Sequence, residues 1–66
     1  MSTYRLVTND GRELRSSEIL ESLCGFPGCL IQTWIDRQGW VSAPVHAPNG
    51  KFRINSAEFV RQLMSR

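Results

Sequence analysis

Long hydrophobic runs are missing from this chain. Its unbroken apolar stretches are only two or three residues, such as Leu30-Ile31 and Phe59-Val60. A membrane-spanning helix needs about 20 apolar residues and a secretory leader a core of about 7–15, so neither is expected, and the chain reads as a cytoplasmic protein without a membrane partner. Cysteine and histidine are also scarce. Cys24 and Cys29 lack the second Cys or His pair that a zinc site needs, because His46 is the only histidine. A reducing cytoplasm disfavours a disulfide between them, so Cys24 reads as a small core residue and Cys29 as a free thiol near a helix start. No glycine-rich phosphate loop is present, and nothing places Ser16 or Ser17 with His46 and an acid as a triad. With one short domain over residues 1–66, the expectation is a protein that is not an enzyme and uses no cofactor, metal or small-molecule substrate.

Lysine is nearly absent. All but one of the eight basic residues are Arg, on a net charge of +2. Arg is the side chain suited to bidentate contacts with phosphate and guanine. A solvated Arg-rich surface is the alternative.

Turn and periodicity signals divide the rest. Tyr4–Thr8 and Arg12–Leu14 flank Asn9-Asp10-Gly11, the chemistry of a short β-hairpin, or of a single strand with an irregular exit. Ser16-Ser17 offers a helix cap, with Glu18 and Glu21 in the first turn and Ile19, Leu20 and Leu23 on one face, so a helix is expected from there to Cys24. Gly25–Gly28 forms a tight connection. A second helix is expected over about 27–38, started by Pro27, with Leu30, Ile31, Trp34 and Ile35 inward and Gly39 as its left-handed cap. Residues 40–46 read as extended, Asn49-Gly50 as a hairpin tip, and residues 51–54 as the return strand with Phe52 and Ile54 inward. Asn55 and Glu58 resemble a capping box, opening a last helix that carries Phe59, Val60, Leu63 and Met64 on its apolar side.

Helix, tight turn, helix, hairpin, helix is the order of a winged helix-turn-helix. The predicted fold is therefore α+β, with about three helices, a β-hairpin wing and an extra N-terminal strand or hairpin. Gly25, Phe26, Ile31, Trp34 and Ile35, followed by Gly39, Ala43-Pro44-Val45 and Phe52-Arg53, resemble the AlpA and phage excisionase families of the MerR-like winged-helix group. The resemblance covers roughly residues 17–66. It implies a recombination directionality factor that binds and bends duplex DNA to direct integrase-mediated excision. The partners it implies are double-stranded DNA, an integrase, or further copies bound cooperatively. A prophage transcriptional regulator of the AlpA type and a protein-binding module that inhibits another regulator are the alternatives.

On this reading the polar side of the second helix, Gly28, Cys29, Gln32, Thr33 and Arg37, reads the major groove. His46, Asn49, Lys51 and Arg53 form the DNA-contacting side of the wing. Trp34 belongs to the core, so that Trp34→Ala would cost about 3–5 kcal/mol. Trp40 either packs under the wing or contacts a partner.

Overall fold

The computed structural model describes residues 3–65. Its elements are β1 (Tyr4–Val7), β2 (Glu13–Ser17), a 3₁₀ turn (Leu20–Leu23), β3 (Leu30–Ile35), β4 (Gly39–Ser42), β5 (Val45–His46), β6 (Arg53–Ile54) and α1 (Ser56–Met64). The class is α+β, but the winged helix-turn-helix is overturned: six strands and one helix stand, among the described residues, where three helices and a wing were expected.

Two hairpins make the main sheet. β1 and β2 join through a turn in which Gly11 has φ +92 and its N–H donates to the Thr8 carbonyl at 2.9 Å. The Thr8 hydroxyl donates to the Asp10 carboxylate. With the Arg12 backbone N–H, it holds that carboxyl below the usual carboxylate range. β3 and β4 form the second hairpin, and β1 pairs antiparallel with β3, so the strand order is β2-β1-β3-β4. β5 and β6 pair separately.

The first expected helix, from Ser16-Ser17 to Cys24, is not formed. Ser16 and Ser17 lie in β2 opposite Arg5 and Tyr4, and the Ser17 hydroxyl accepts from the Ile19 N–H at 2.9 Å to bend the chain. Few residues remain before Gly25, too few for a helix that could sustain itself. A single 3₁₀ turn suffices, because its residues i and i+3 eclipse and so point the same way. Those residues are Leu20 and Leu23, both buried, whereas Ile19 is exposed.

The second expected helix is a strand. Residues 30–35 form β3, and their Ile, Thr and Trp side chains suit a pleated, half-buried surface. A short apolar run does not distinguish helix from strand by spacing alone. Pro27 does not start a helix. It fits the second position of a type II turn, with Gly28 third at φ +78 and the Cys29 N–H donating to the Phe26 carbonyl at 3.4 Å. Gly39 has the expected positive φ of 83, but in a β-hairpin rather than at a helix end.

Further on, Asn49 (φ 53, ψ 35) and Gly50 (φ 75) are both left-handed. That is the type I′ requirement which Asn-Gly meets best. The Lys51 N–H closes the turn onto the Pro48 carbonyl at 3.0 Å. The Asn55 side chain accepts from the Glu58 N–H at 3.3 Å and caps α1. This helix leans on β4 without burying a side chain fully; Phe59 and Leu63 are half-buried, and Val60 and Met64 are exposed.

Alternation along paired strands sorts the sheet into two faces. Leu6, Thr33 and Val41 share the inner face and are buried, as are Leu20, Leu23 and Ala43. Val7, next to Leu6 and so pointing the other way, is also buried at 1% exposure, so this end of β1 is covered on both sides.

Leu23 is fully covered, and Leu23→Ala should cost about 2–5 kcal/mol. That is comparable with the whole stability of so small a domain, and a urea melt should show the variant largely unfolded in water. Arg37 sits at φ +73, a conformation that costs a side chain about 1–2 kcal/mol and glycine little. Arg37→Gly should therefore raise the melting temperature by several degrees; a fall would contradict the turn described here.

Candidate functional site

The second face of the sheet is covered at Val7 and open toward the β3–β4 turn. By register it carries Arg5 on β1, Glu13 on β2, Leu30, Gln32 and Trp34 on β3, and Trp40 and Ser42 on β4. Arg5 lies opposite Gln32, Gln32 opposite Ser42, and Trp34 opposite Trp40.

These side chains form one connected cluster. The Arg5 guanidinium carbon stands 4.5 Å from the Trp40 ring centroid, a cation–π contact. Its Nε donates to Gln32 Oε1 at 2.6 Å. Its Nη1 lies 3.8 Å from Glu13 Oε1, a loose and partly exposed ion pair worth at most about 1 kcal/mol. Thus Arg5, on a solvent-facing surface, keeps only 23% of its side chain exposed. Trp34 and Trp40 meet edge to face, with centroids 5.5 Å apart and planes at 72°. The Trp34 indole N–H donates to the Asp36 carboxylate at 3.2 Å, which fixes the ring.

Trp34 is therefore not a core residue. It is 37% exposed, more than a tryptophan with only a packing role needs. Leu30, four residues earlier on β3, is exposed on the same face. Among the described residues no enclosed pocket forms, so a ligand here lies across the sheet rather than inside it.

The residues expected to read the major groove do not share a surface. Gly28 is exposed in the turn before β3, and Cys29 is half-buried beside it. Gln32 is on the open face, but Thr33 points inward, is buried, and donates its hydroxyl to the Thr3 carbonyl at 3.2 Å. Consecutive strand residues face opposite ways, so Gln32 and Thr33 cannot act together. Arg37 is exposed in the β3–β4 turn, held by backbone geometry instead of a helix end. His46, Asn49, Lys51 and Arg53 are all exposed on the β5–β6 hairpin.

No family model, curated protein or solved structure matches this chain.

Arg5, Glu13 and Trp34 are absent from the expected contacts, whereas for Trp40 a partner contact is one of two expectations. A signal for them was present. Trp34 and Trp40 bracket residues 35–39 symmetrically about Arg37. Taken as a hairpin, that spacing puts both indoles on one face as a cross-strand pair.

An exposed tryptophan predicts a mild phenotype. Trp34→Ala should keep the native circular dichroism spectrum and a cooperative melt. A variant that unfolds would return Trp34 to the core.

Proposed function

We propose that this domain binds an unpaired nucleic-acid strand across the open face of its β-sheet, with a base stacking on Trp34. The observation that carries the proposal is the exposed Trp34 ring, fixed by Asp36 and met edge to face by Trp40, over which Arg5 lies. Aromatic side chains on an open surface hold bases of an unpaired strand by their π-faces, at about 1–3 kcal/mol per base, and a guanidinium beside them adds cation–π attraction. A duplex hides those base faces in its own stack.

The proposal keeps nucleic acid as the partner and moves it from duplex to single strand. Docking in a major groove requires a projecting helix or ribbon. Residues 30–35, proposed for that role, lie inside a sheet between β1 and β4. The excisionase reading thereby loses the helix on which its base contacts rested. The proposal places the protein in the cytoplasm, and no helix among the described residues is long and apolar enough to cross a membrane.

Charge at the face is balanced, with Arg5 and Arg37 against Glu13 and Asp36. Binding should depend on stacking more than on phosphate. If both arginines neutralise a phosphate, the slope of log K against log salt should be no steeper than about −1.5.

Fluorescence anisotropy of an end-labelled oligouridylate of about 12 nucleotides, within the site sizes of such surfaces, provides the test. The expected result is saturable binding to the single strand, little to a duplex of equal length, and a loss of about 5- to 150-fold in Trp34→Ala. Tighter binding to the duplex, or full affinity in folded Trp34→Ala, would overturn the proposal.

A further inference from the structure

We infer that Gln32 makes the open face selective for keto bases, uracil, thymine or guanine, over cytosine and adenine. The inference rests on the strand-binding proposal above and deepens it.

It begins with the direction of one amide. A glutamine side chain has an acceptor end and a donor end. The Nε of arginine can only donate, so the atom 2.6 Å from Arg5 Nε is the Gln32 oxygen. Arg5 is itself held from two further sides, by the Trp40 ring at 4.5 Å and by Glu13 at 3.8 Å. The Gln32 carbonyl is thereby fixed against a charged donor, an interaction roughly twice as strong as a neutral hydrogen bond. Flipping the amide would turn its N–H groups toward the guanidinium and lose that bond.

The consequence lies at the other end. With the oxygen engaged, the NH₂ group is left pointing elsewhere. Among the described residues nothing accepts from it, and it is not among the buried polar atoms left without a partner. It is thus a donor of set orientation, unpaired among the described residues and not fully buried, on a half-buried side chain. Gln32 and Trp34 are two residues apart on β3 and so on the same face, about 7 Å from one another along the strand. A base stacked on Trp34 spans that distance and presents its edge to the amide. The second nearby group of fixed chemistry, the Arg5 guanidinium, is also a donor.

Two donors recognise an acceptor edge. Uracil and thymine present O4 there, and guanine presents O6 with N7. Cytosine and adenine carry an amino group at the same place, which would set donor against donor. A glutamine free to rotate would accept either kind of base, so the Arg5 contact converts a tolerant side chain into a selective one.

The test compares oligouridylate with oligocytidylate of equal length, whose bases are similar in stacking area and differ at that edge. Wild type should bind oligouridylate at least about fivefold more tightly, the order of one net hydrogen bond. Gln32→Glu keeps an oxygen for Arg5 Nε and replaces the outward donor with an acceptor, so the preference should reverse toward oligocytidylate. Gln32→Met removes both polar atoms at similar volume and should bring the two affinities within about twofold of each other. Equal wild-type affinity for the two strands, or a preference unchanged in both variants, would overturn the inference while leaving strand binding standing. Failure of wild type to bind either strand would overturn strand binding, and this selectivity with it.

Discussion

The antiparallel register of β1 against β3 is the constraint on which this structure depends. It joins the two hairpins into one sheet, placing Arg5 opposite Gln32 and Leu6 opposite Ile31. Side chains alternate with a period of two residues, so a slip of one position would exchange the faces of a whole strand. Leu6 would turn outward and Arg5 would enter the core. The burial of Leu6 alongside Thr33 and Val41 thus does two things. It supplies the inner face, and it locks the polar and aromatic residues of the other face into contact.

The cluster on the open face follows from that lock. Arg5 comes from β1, Glu13 from β2, Gln32 and Trp34 from β3, and Trp40 from β4, so every strand of the main sheet contributes. No local stretch of sequence could assemble it. Preorganisation is its chemical character: Asp36 fixes one indole, Arg5 stacks on the other and orients the Gln32 amide. A surface whose groups are already oriented loses little further entropy when it binds.

Legibility in the sequence was uneven, for identifiable reasons. Turn chemistry read well. Asn9-Asp10-Gly11 and Asn49-Gly50 mark hairpins, and Asn55 caps a helix as its spacing with Glu58 implies. Local backbone preferences decide such features. Residues 16–38 read poorly because their signals have two solutions. Leu20 and Leu23 at a spacing of three fit a 3₁₀ turn as well as an α-helix. Pro27-Gly28 can open a helix or make a type II turn, and Leu30-Ile31 with Trp34-Ile35 fits one helical stripe or both faces of a strand. Pairing with β1 and β4 decides between them, and that information lies in residues 4–7 and 39–42. The candidate site inherited the error. Assigning Trp34 to a helix's inner stripe buried the residue that the sheet exposes, and grouped Gln32 with Thr33, from which the sheet separates it.

The central claim is that residues 30–35 are a strand paired on both sides, with Trp34 across from Trp40. Nuclear Overhauser contacts measured on the isotope-labelled chain address it directly. Close Hα–Hα contacts are expected between Trp34 and Trp40 and between Gln32 and Ser42. Sequential amide–amide contacts through residues 28–38, with Hα-to-amide contacts three residues apart, would instead mark a helix there and contradict the account.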